Sequence, residues 1–158
     1  MRSFIDVEYD SRKKKTKMEI FLTAMDNLVP WKYWVRMITP LCTAGKGVCP
    51  PEDVEDLLRM FLLRHWYNLS DGELLEALYE YIPMRRFMHR MDFLDDEFPD
   101  ETTLRRFRQL LEKHTIDKQI LEDLGERLGE VGLDISRGRF VEARLEEMPG
   151  AGGKGGRK

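Results

Sequence analysis

A mainly α fold is expected here: a compact multi-helix domain with a helix-turn-helix-like unit and one C-terminal β-strand. Three features of the sequence predict it. Apolar residues recur at helical spacing in successive segments between Met18 and Val131. A Ser-x-x-Glu box at Ser70–Glu73 marks a helix start, and period-two alternation is convincing only over Phe140–Leu145. At 158 residues the chain suits one domain with a real core.

Taken in order, residues 1–17 lack hydrophobic periodicity and are expected to form a flexible basic arm. Ile20, Phe21, Ala24, Met25 and Leu28 then trace one face of a helix. Pro30 ends that helix or opens the next by occupying its first turn. Trp31, Trp34, Val35 and Ile38 give a short amphipathic helix, expected to close before Pro40. Gly45, Gly47, Pro50 and Pro51 make the stretch from Leu41 to Pro51 a loop. The strongest helix signal runs from Pro51 to Trp66, with Val54, Leu57, Leu58, Phe61, Leu62 and His65 on one face.

Asn68 and Leu69 break that helix, and the Ser70–Glu73 box starts another bearing Leu74, Leu75, Leu78, Tyr81 and Ile82, which Pro83 should stop. A shorter helix fits Met84 to Arg90. Two helices joined by a tight polar turn form a helix-turn-helix-like unit, a layout shared with plain helical hairpins. After the acidic stretch from Asp95 to Pro99, Asp100 or Thr102 can cap a helix built on Leu104, Phe107, Leu110 and Leu111. Its other face holds Arg105, Arg106 and Arg108, and His114 ends it. Thr115 can cap a last helix carrying Ile116, Ile120, Leu121, Leu124, Leu128 and Val131, in which Gly125 and Gly129 each cost about 1 kcal/mol against Ala. The helical domain thus spans 18–134, a lone strand segment 135–148, and a Gly-rich basic tail 149–158.

Charge is distributed unevenly although the net charge is only -3. Basic residues gather at Arg12 to Lys17, at Arg85, Arg86 and Arg90, and at Arg105, Arg106 and Arg108, whereas acidic ones crowd Asp92 to Glu101 and Glu112 to Glu130. Such a surface can meet DNA on one face and protein on another, or simply be a solvated mixture. Charged residues interrupt every apolar run before it reaches the roughly 18 residues of a membrane span. No signal-peptide core is visible at the N-terminus, so the cytoplasm is the expected compartment.

Most catalytic chemistries lack their residues. Cys42 and Cys49 are separated by six residues in a loop, and His65, His89 and His114 are scattered, so neither a disulfide scaffold nor a structural zinc site is expected. No G-x-S-x-G stands in the chain, and Gly45-Lys46-Gly47 is too short for a phosphate-binding loop. The acids from Asp92 to Glu101 read as a solvated turn. Glu142 is placed on a strand, rigid enough for a metal ligand, but two-metal chemistry needs several converging oxygens.

The segment Leu57-Leu58-Arg59-Met60-Phe61-Leu62-Leu63-Arg64-His65-Trp66-Tyr67-Asn68-Leu69-Ser70-Asp71-Gly72, continuing to Glu76-Ala77-Leu78-Tyr79-Glu80, resembles the signature of insertion-sequence-five-type transposases. Val29-Pro30-Trp31 resembles that family's early Pro-Trp turn, and Met84-Arg85-Arg86-Phe87 its short basic helix. Pro99-Asp100-Glu101-Thr102-Thr103-Leu104-Arg105-Arg106-Phe107-Arg108, with Leu110-Leu111-Glu112-Lys113-His114, is similar to its P-D-x-T-T-x-x-x-F-R-x-L-L-E-x-H run. The resemblance implies binding to the terminal inverted repeats of a mobile element. It also implies a helical region ahead of an RNase-H-like domain, whose DDE acids bind metal to cut and join DNA.

Glu142 stands where the family's first catalytic Asp is expected, and Arg144 replaces a small hydroxyl residue. The later acids of the pattern are absent from these residues, so the isolated chain is expected not to be an enzyme and to need no cofactor. Mg²⁺ is expected only for a complete family member. Two functions therefore stand open. One is a DNA-binding transposase fragment using Arg12, Lys13, Lys14, Lys15, Lys17, Arg85, Arg86, Arg105, Arg106 and Arg108 on double-stranded DNA. The other is an interaction module whose Val54–Trp66 face mediates a homodimer or a complex with full-length transposase.

Overall fold

The computed structural model describes residues 16–45, 47–90 and 97–130. Seven α-helices run through them: α1 (Lys17–Leu28), α2 (Trp31–Thr43), α3 (Val54–Trp66), α4 (Asp71–Glu80), α5 (Ile82–Phe87), α6 (Glu101–Lys113) and α7 (Ile116–Glu130), with a short 3-10 turn at Pro51–Asp53. No strand occurs among the described residues, and the mainly α expectation holds. The expected strand at Phe140–Leu145, the tail, and the arm up to Lys15 lie outside the described residues.

Helix α3 is the axis of the bundle. Leu57, Leu58, Met60, Leu62 and Leu63 are fully buried on it. It packs against α2, α4 and α6, while α1 packs on α5 and α7 on α6. The face from Val54 to Trp66 that the sequence offered for association is consequently internal, with Val54 and Trp66 at 0% and 1% exposure. An apolar face this complete finds its partner inside the chain, so it is not a free dimer surface. Rings stitch the helices together edge-on: Phe21 against Trp66 at 5.3 Å, Trp66 against Phe87 at 5.7 Å, and Trp31 against Phe87 at 5.7 Å.

Helix ends follow local chemistry closely. Ser70 and Glu73 close the expected capping box, Ser70 Oγ accepting from the Glu73 amide at 3.1 Å. A second box, Thr16 with Glu19, starts α1, so the helix begins at Lys17, inside the segment expected to be an arm. Asp100 caps α6 by accepting from the Thr103 amide at 2.8 Å. Helix α3 ends in a Schellman turn: Asn68, at φ 55°, donates to His65 O at 3.4 Å and Leu69 donates to Arg64 O at 3.0 Å.

Three expectations about boundaries are corrected. Helix α2 passes through Pro40 to Thr43 instead of closing before it. Thr39 Oγ1 donates to Val35 O at 2.7 Å beside the break, and the extra turn buries Cys42 completely. Pro83 does not stop α4 after Ile82: it sits in the first turn of α5, and α4 ends at Glu80, leaving Tyr81 47% exposed. Thr115 does not cap α7 with its side chain. It sits at φ 54° and its hydroxyl donates back to His114 O at 2.6 Å.

Candidate nucleic-acid interface

Charge becomes either scaffold or surface according to what each guanidinium meets. Arg59 is 3% exposed on α3. Its Nη1 donates to Phe87 O at 2.6 Å and to Asp26 Oδ1 at 3.0 Å, and its Nη2 donates to Glu55 at 2.9 Å. Its plane stacks on Trp31 at 4.0 Å from the ring centroid. Trp31 Nε1 in turn donates to Asp26 O at 3.0 Å, and His89 Nε2 lies 3.3 Å from Asp26 Oδ2. The Pro-Trp turn therefore serves to lay an indole over a buried cation. Burial pushes the Asp26 carboxyl up, but hydrogen bonding from His89 and the nearby Arg59 outweigh it and hold the carboxyl below its ordinary value.

A second knot joins α3, α4 and α6. Asp71, 8% exposed at the start of α4, lies 2.9 Å from Arg64 Nε and accepts from Arg108 Nη2 at 2.7 Å. Arg108 also reaches Glu112 at 3.7 Å. A third ties α2 to α7, with Trp34 Nε1 donating to Asp123 Oδ2 at 2.9 Å. None of these long-range pairs can be read from spacing along one helix.

The basic residues expected to touch DNA divide accordingly. Arg12, Lys13, Lys14 and Lys15 lie outside the described residues, as does Glu142. Lys17 opens α1 and is exposed. Arg85 is corrected: it is 1% exposed, donates to Leu78 O at 3.3 Å and lies over the Phe98 ring at 5.8 Å, so it braces α4 and α5 from within. Arg86 is half-buried beside a polar cleft of about 300 Å³ that Glu19, Asp26, Asn27 and His89 also line. Arg108 is held in the Asp71 knot. Arg105 and Arg106 are exposed on α6.

The helix-turn-helix-like unit is formed by α3 and α4, but its second helix is acidic. Glu73, Glu76 and Glu80 are exposed on α4 beside Tyr79. Three carboxylates on the outer face of a helix repel a phosphate backbone. The surface suited to a polyanion lies on α6 instead.

Cys42, in the last turn of α2, and Cys49, in the loop that leads to the 3-10 turn, are both buried. The two thiols interact with each other, which pulls Cys42 down and, with burial, pushes Cys49 up. Among the described residues no group of three or more His, Cys, Asp or Glu is placed to hold a metal ion. Likewise, no helix among them is long and apolar enough to cross a membrane.

No solved structure matches the chain. Residues 8–110, from the basic arm through most of α6, match the family described as Transposase domain (DUF772). The match takes in the Arg59 knot, the Asp71 knot, α4 and the exposed arginines of α6, and covers well over half of the 158 residues. The chain belongs to the transposase-domain family DUF772.

Proposed function

We propose that the protein is the DNA-binding helical region of an insertion-sequence-five-type DDE transposase, engaging the terminal inverted repeats of a mobile element. The observation that carries this is the exposed Arg105–Arg106 pair on a helix fixed by its opposite face, in a chain of the transposase family. The motif order described above supports the insertion-sequence-five type. Lys17 and the neighbouring arm residues Arg12, Lys13, Lys14 and Lys15 would add phosphate contacts, as would Arg86.

The test is a binding titration of the purified chain with inverted-repeat and shuffled duplexes at several salt concentrations. Saturable binding is expected, with log K falling linearly against log salt by about 0.9 for each phosphate contacted. Absence of binding, or binding indifferent to salt, would refute the proposal. DNA strand cleavage is not assigned to these residues, and Mg²⁺-dependent nicking by the purified chain would contradict that assignment.

A further inference from the structure

We infer that α6, and not the second helix of the helix-turn-helix-like unit, is the element that enters the major groove, reading bases with Arg105, Arg106 and Gln109. This rests on the proposal that the protein binds duplex DNA and specifies where sequence is read. Helices α3, α4 and α6 all pack on one another, with Asp71 between Arg64 and Arg108 at their junction. They form a three-helix unit, and α6 packs on α2 and α7 as well, so only one stripe of it is left to solvent. Leu104, Phe107 and Leu111 are fully buried on its inner face, so its orientation is set by the core.

The outer face is chemically selective. Thr102, Arg105, Arg106, Gln109 and Lys113 are all exposed. At 3.6 residues per turn they fall within an arc of about 100°, and no acid lies inside that arc. The acids Glu101 and Glu112 stand at its edge on the α4 side, where Arg108 turns to Asp71. A rigid duplex seated on Thr102, Gln109 and Lys113 therefore faces away from the carboxylates of α4. From Thr102 to Lys113 the helix rises about 16 Å, a length that fits the major groove over about five base pairs.

The residue types match base edges. Arg pairs bidentately with guanine, and Gln with adenine, while Lys and Thr suit phosphates. Asp100 already occupies the α6 N-terminus by accepting from Thr103 at 2.8 Å, so the contact is made by the side-chain stripe and not by the helix end. The dsDNA occupant follows from this charge arrangement: basic and amide groups form the stripe, and the acids of α6 itself, Glu101 and Glu112, stand only at its one border.

A selection from a randomised duplex library with the full chain tests the inference. The unaltered protein should enrich a short motif. Gln109→Ala and Arg106→Ala should each relax preference at one or two base positions, losing about tenfold discrimination there, with unchanged helicity and thermal stability. Glu76→Gln on α4 should leave the motif unaltered. A motif that survives both α6 substitutions, or enrichment of no motif despite salt-dependent binding, overturns the assignment to α6 while leaving DNA binding intact. Absence of any duplex binding overturns both the assignment and the proposed function.

Discussion

Arg59 stands in the centre of the bundle with two carboxylates, a carbonyl and an indole around it, and all but Glu55 come from outside its own helix. Substituting Met would leave the Phe87 carbonyl without its side-chain donor and take the buried cation away from Asp26 and Glu55. A loss of about 3 kcal/mol is expected in urea unfolding, larger than for any surface arginine. His65 behaves oppositely. Burial, and then the neighbouring Arg64, lower its pKa from 6.5, so the folded protein holds it neutral where the unfolded chain protonates. A lowered folded-state value means stability that is full above 6.5 and declines as pH falls below it. Melting temperature should therefore drop between pH 7 and lower pH, and His65→Gln should flatten that slope; an unaltered slope would remove His65 as the cause.

Elements were legible in proportion to how local their causes are. The apolar faces of α1, α3, α6 and α7 and the Ser70–Glu73 box could be read from neighbouring residues, because periodicity and capping act within a few positions. The passage of α2 through Pro40 could not, because the added turn carries Cys42, whose complete burial is a matter of tertiary packing. Tyr81 looked like part of an apolar face, and only the accommodation of Pro83 in the next helix explains its exposure. Ser70→Ala should cost about 1 kcal/mol by freeing the Glu73 amide. Thr115, β-branched and at φ 54°, carries backbone strain between α6 and α7. Thr115→Gly should thus raise stability by about 1 kcal/mol, and a fall instead would show that the lost hydroxyl bond to His114 O outweighs the strain.

Across the whole molecule the charges sort into an interior set and an exterior set. Arg59, Arg64, Arg85, Arg90 and Arg108 hold helices together through Asp26, Asp71, Asp56 and buried carbonyls. Arg105, Arg106 and Lys113 remain outside on α6, and Glu73, Glu76 and Glu80 outside on α4. This sorting was only half visible in the sequence. Arg85-Arg86 and Arg105-Arg106 look alike as dipeptides, and only tertiary packing sends Arg85 inward. The exposed acids of α4 stand on the second helix of the unit, and on the proposed reading they direct the duplex contact to α6.

The most direct measurement is the change in backbone amide resonances of the labelled protein as duplex DNA is added at low salt. The largest shifts should fall on α6, at Thr102, Arg105, Arg106, Gln109 and Lys113, and they should reverse as salt is raised. Shifts centred on Glu73, Glu76, Tyr79 and Glu80 of α4, with α6 silent, would contradict the account.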